Sequence, residues 1–114
     1  MSLDYAADHF AAAVRSLASS ERPLAERLQD AWNEHVQMVW LKPCLTSDLL
    51  REFRDLWHRY TAPSDDLRST KLRWLTHDES VRAIHELVDL SQRATAAASR
   101  ATGDEKLATL ADLA

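Results

Sequence analysis

Apolar residues recur along this chain at steps of three and four, the spacing that lays a stripe down one side of a helix. Leu3, Ala6, Phe10, Val14 and Leu17 form the first stripe and predict a helix over about 3–18, with Asp4, Asp8, His9 and Arg15 largely off it. Ser19 and Ser20 break the pattern, and Pro23 suits the first turn of a second helix, where a missing N–H does no harm. That second helix, about 22–41, carries Leu24, Leu28, Ala31, Trp32, His35, Val36 and Val39, with Trp40 near the edge of the stripe. Pro43 stops it, since Lys42 before the proline is steered away from helical geometry.

The cleanest stripe follows: Leu49, Leu50, Phe53, Leu56, Trp57 and Tyr60, a helix over about 47–61. Thr46 or Ser47 can cap it, and Asp48 suits its positive end. After Ala62-Pro63, a shorter helix is expected over about 65–75, where Leu67, Lys71 and Trp74 would share a weak, partly polar face. Thr76-His77-Asp78-Glu79 has capping-box spacing and opens a long helix over about 77–101, with Val81, Ile84, Val88 and Ser91 on the expected inward line and Leu87 and Ala94 beside it. Gly103 stands where a helix stop needs a left-handed residue. A short terminal helix, about 104–113, should carry Leu107, Leu110 and Ala114 on one side and must dock to persist.

The sequence therefore predicts an all-α protein, a compact bundle of four to five helices in a single domain with short loops. Composition agrees: one glycine and three prolines in 114 residues leave little material for the tight turns of sheets. A 46% hydrophobic and 28% charged chain belongs to the globular class and has length enough for one core. The formal net charge of −4 counts against a general nucleic-acid binder. No signal peptide is expected, no apolar run is long enough for a membrane span, and the lone Cys44 suits a reducing, cytoplasmic setting.

Candidate chemistry is sparse. No glycine-rich phosphate loop, nucleophile elbow or paired zinc-ligand spacing occurs, so no catalytic residue, cofactor or metal is assigned. Asp55 and His58 have the carboxylate-x-x-histidine spacing of helical di-metal bundles, and His35 and His85 are the histidines that would have to join them. A metal- or small-ligand-binding bundle is thus the third reading. The second is a nucleic-acid-associated regulator, in which Arg51, Arg54, Arg59, Arg68, Lys71 and Arg73 alternate with Trp57 and Trp74; Glu52, Asp55, Asp65 and Asp66 lie in the same stretch and oppose it.

The first reading comes from the four tryptophans, all between positions 32 and 74. Trp32 and Trp57 lie on main stripes and belong to the core. Trp40, at a helix end, and Trp74, on a mixed segment, are expected near a groove or subunit contact, with Arg68 and Lys71 beside them. This makes the protein a small interaction or regulatory module that binds a protein partner or a second copy of itself.

Overall fold

The structure, a computed structural model, describes residues 2–19, 21–62, 72–101 and 106–113, and within them the chain is helical and has no strand. Helix α1 is Leu3–Ser19. Helix α2 covers 24–40 as three consecutive segments: an α-helical Leu24–Ala31, a π turn Trp32–Val36 and an α-helical Gln37–Trp40. Helix α3 is Ser47–Tyr60 and α4 is His77–Arg100, followed by a 3-10 turn at Leu110–Leu113. The smallest dimension is 19 Å, which holds two layers of helices about 10 Å across.

The stripes of α1 and α3 face inward nearly as the sequence predicts. Leu3, Ala6, Phe10 and Leu17 are buried on α1, joined by Ala7 and Ala13, while Val14 is only half-buried. On α3 all six stripe residues, Leu49 through Tyr60, are buried. Thr46 occupies the N-cap of α3 without a side-chain capping bond. At the other end Thr61 closes the helix, donating both its N–H (3.0 Å) and its hydroxyl (2.6 Å) to the Trp57 carbonyl.

Helix α4 is turned part-way from expectation: Ser91 on the expected line and Leu87 and Ala94 beside it are buried, but Val81, Ile84 and Val88 are not. Its buried line is Ser80, Ala83, Leu87, Leu90, Ser91 and Ala94, while Val81 is exposed and Ile84 and Val88 are half-buried. Most of that line is small, and α4 makes its most extensive contact with the alanine-lined α1. Two helix backbones approach closely only where side chains are short, so β-branched residues move to the flanks. Maximising apolar weight therefore selects a line to one side of the buried one here.

Two expected helices are not found where the described residues cover them. Of the helix anticipated over 65–75, residues 65–71 lie outside the described residues, and Leu72–Leu75 is not helical. Leu72 instead forms an antiparallel bridge with Thr61, and the Arg73 N–H donates to the Tyr60 carbonyl at 2.9 Å. Thr76 is the N-cap of α4 with extended backbone, φ −68° and ψ 168°, so a helix cannot run straight into it. Of the terminal helix expected over 104–113, residues 104 and 105 lie outside the described residues, as do Gly103 and Ala114, and the described remainder is not one continuous helix. Ala108 bridges Leu45, and the Thr109 N–H donates to the Asp112 carboxylate at 2.7 Å, leaving one 3-10 turn. That backbone bond holds the Asp112 carboxyl below the usual range. Ala108 is buried, and Leu107, Leu110 and Leu113 pack on the core, so the tail docks on its own domain.

Candidate functional site

The π turn decides what the tryptophans do. The Gln37 N–H reaches back five residues to the Trp32 carbonyl, so the helix absorbs one extra residue. In an uninterrupted helix, Trp32 and Trp40 would stand about 80° apart around the axis; with one residue absorbed they fall within about 20°. Trp40 is thereby swung inward. Its ring stacks on Trp57 at 4.4 Å and 4°, and Trp32 stacks on the same Trp57 at 5.1 Å and 27°. Phe53 closes the cluster edge-on, 5.7 Å from Trp40, 5.9 Å from Trp57 and 5.3 Å from Phe10.

This overturns the expectation that Trp40 lies near an open groove: it is buried with Trp32 and Trp57. Each of the three indole N–H groups is buried without a hydrogen-bond partner. An unmade bond of this kind costs about 1–3 kcal/mol. Burying an indole removes about 150–250 Å² from water, worth about 4–6 kcal/mol, so packing wins at each position. These three indoles hold the core together.

Trp74 is the opposite case. It is 87% exposed, against 1–6% for the other three. Its segment is fixed on both sides by Arg73, whose guanidinium donates to the Arg59 carbonyl at 2.9 Å and to Glu79 at 2.6 Å. Glu79 also accepts the Thr76 N–H at 3.1 Å while its own N–H donates to the Thr76 hydroxyl at 3.1 Å, completing the capping box. The Arg73 bond and then the Thr76 bond hold the Glu79 carboxyl down at about 2. Leu75 points inward and is buried; Trp74, clamped between Arg73 and Leu75, points out.

Beside Trp74 lies a hollow of about 230 Å³. Ala25 and Gln29 of α2 form one wall, Leu72, Trp74 and Leu75 the other, and Ser80 of α4 contributes to the lining. Ser80 is wholly buried, and its Oγ has no hydrogen-bond partner. The rim carries Glu26, 3.6 Å from Arg22, and Arg73 with its Glu79 partner. Of the four candidate contact residues, then, Trp74 is on the surface, Trp40 is inside, and Arg68 and Lys71 lie outside the described residues. Leu72, Leu75, Ala25 and Ser80 were not anticipated; the signal that points to them is the run Leu72-Arg73-Trp74-Leu75 set directly before a capping box with no helical stripe of its own.

A second concavity, about 430 Å³, runs between α3 and α4 over Leu56 and Leu90. Asp55 and His85 share it, as two of the metal candidates, and its four carboxylates, Glu52, Asp55, Glu86 and Asp89, outnumber the two guanidiniums that line it. Arg93 pairs with Glu52 and, at 3.5 Å, with Asp89, while Arg59 lies 3.3 Å from Glu86. The bond to Glu52, foremost, pushes the Arg93 guanidinium still further toward its charged form. Burial and then Glu86 push the Tyr60 phenol up. His58 lies edge-on to Trp40 at 6.1 Å, and His35 is 3.9 Å from Glu34 with its ring 6.4 Å from that of His9. Asp55 and His85 thus line one concavity, while His58 and His35 lie in other surroundings. Among the described residues no group of three or more histidine, cysteine or acidic side chains is placed to hold a metal ion.

Three of the four described arginines of the basic stretch are engaged: Arg54 pairs with Asp55 at 3.8 Å, Arg59 with Glu86 and Arg73 with Glu79, while Arg51 is exposed. Cys44 is buried, 3.8 Å from the Val39 carbonyl, and desolvation pushes its thiol up to about 11. Among the described residues no helix is long and apolar enough to cross a membrane. Compared with family models, curated proteins and solved structures, the chain matches none.

Proposed function

We propose that the protein is a small helical protein-interaction module whose contact residue is Trp74. One observation carries this reading: three of the four indoles are packed at the centre, and the fourth is held outward, 87% exposed, beside an apolar hollow. Covering it gains about 4–6 kcal/mol, which makes an exposed indole an anchor of the kind that dominates interfaces. Association itself costs several kcal/mol, so the hollow must contribute as well. A reducing, cytosolic setting goes with a lone, buried, unreactive thiol at Cys44. The nucleic-acid reading draws less support, because three of the four described arginines of that stretch, Arg54, Arg59 and Arg73, are paired with carboxylates.

The test is a nuclear magnetic resonance titration with N-acetyl amides of tryptophan, leucine and lysine. The tryptophan and leucine amides should shift the backbone signals of Ala25, Leu75 and Ser80 saturably, and the lysine amide should not. Shifts that are absent, or that are equal for all three probes, would contradict an apolar docking site at Trp74.

A further inference from the structure

We propose that the occupant of this site is a second copy of the same chain, each Trp74 seated in the other's hollow about a two-fold axis. The inference rests on the reading of Trp74 as the contact residue and names its partner. A two-fold interface must be self-complementary, the same patch serving both sides. Here knob and hole are on one patch: the ring of Trp74 stands out from the wall of the hollow that a partner's ring would enter. A heterologous partner requires only one of the two. The hollow, about 230 Å³, is of a size for a single aromatic side chain.

Polarity matches as well. The ring would meet a mostly apolar lining of Ala25, Leu72 and Leu75 with its N–H left at the rim, the Ser80 hydroxyl being buried out of reach. Charges on the rim, Glu26 by Arg22 and Arg73 by Glu79, are of both signs and paired within the chain, so two copies meet without a like-charge penalty. Area sets the strength. Two indoles of about 150–250 Å² each, with a matching area of hollow, bury about 600–1,000 Å² in total. That is below the roughly 1,200 Å² of a standard stable interface. The dimer is therefore weak and concentration-dependent.

Sedimentation equilibrium on the full chain, from low micromolar to millimolar, tests this together with acrylamide quenching of tryptophan emission over the same range. The expected result is a rise from monomer to dimer mass, with quenching falling at the same midpoint because Trp74 becomes covered. Trp74→Ala removes the knob and Ala25→Leu fills the hole with the knob intact; each should raise the dissociation constant at least about tenfold. A monomer throughout, with quenching unchanged, overturns the proposal, and so does a dimer indifferent to both substitutions. The titration with N-acetyltryptophan amide separates this failure from failure of the broader reading. A monomer that binds the probe at Ala25, Leu75 and Ser80 keeps the docking site and assigns it to a different chain; a monomer that does not bind it loses both.

Discussion

Trp57 and Trp74 are each preceded by leucine and arginine at short range, yet they end in opposite environments. Trp57 is on the inward stripe of α3, stacked on Trp32 and on Trp40, with Phe53 edge-on. Trp74 is on a non-helical strap ahead of α4, and among the described residues nothing covers more than a small part of it. The backbone conformation around each indole makes the difference. A helix carries its apolar face to a neighbour as a unit, so a tryptophan on the stripe is buried with its turn. A strap anchored through Arg73 and Leu75 fixes the backbone on both sides of Trp74 and leaves its side chain to solvent.

The comparison breaks most sharply under substitution. Trp57→Ala removes the shared member of both indole stacks and should cost about 3–5 kcal/mol, read as a lowered urea midpoint. Trp74→Ala in dilute, monomeric protein should change stability by no more than about 0.5 kcal/mol. Equal losses at the two sites would erase the distinction between core and contact.

The strap depends on its junction with α4. Thr76→Ala removes the capping hydroxyl and should destabilise by about 1 kcal/mol. The same junction has an acid signature. The Glu79 carboxyl is held at about 2 when folded, against an ordinary value near 4.5, so its contribution is complete above pH 4.5 and is lost as pH falls toward 2. Thermal unfolding of wild type and Glu79→Gln should therefore differ most near neutrality and converge as pH falls through that window. A gap that stays constant down to pH 2 would remove the Arg73–Glu79 clamp from the account.

The π turn offers a finer test. Deleting Asn33, which is exposed within Trp32–Val36, leaves seven steps between Trp32 and Trp40, and an ordinary α-helix then puts both indoles on one face. The deletion should change stability by no more than about 1 kcal/mol, and the emission of the buried indoles should stay where it is. A large loss, or exposure of Trp40, would mean that the π turn does more than realign the helix.

Much of this architecture was legible in the residues. Period and capping chemistry placed α1, α3 and both ends of the inter-helix segment after Pro43, and the Thr76–Glu79 box marked the start of α4. Stripe membership placed Trp32 and Trp57 in the core. Trp40 escaped because a stripe drawn at 3.6 residues per turn has no means of absorbing the extra residue at Trp32–Val36. Part of the α4 face escaped, although Leu87, Ser91 and Ala94 were legible, because close approach to α1 rewards Ser80 and Ala83 over Val81 and Val88, a preference that depends on the neighbour rather than on the helix itself. At the candidate site, Trp74 was legible as an indole off the main stripes. The hollow beside it was not, since Ala25, Leu75 and Ser80 come from three separate segments that only the fold brings together.

The most direct test of the account is acrylamide quenching of dilute wild type against Trp74→Phe. Because three of the four indoles are buried and one is 87% exposed, the wild type should contain a single readily quenched, red-shifted component. Trp74→Phe should abolish that component and leave a blue, poorly quenched emission with unchanged stability. A variant that keeps a quenchable component would place an accessible indole in the supposed core and contradict the division on which the proposed contact depends.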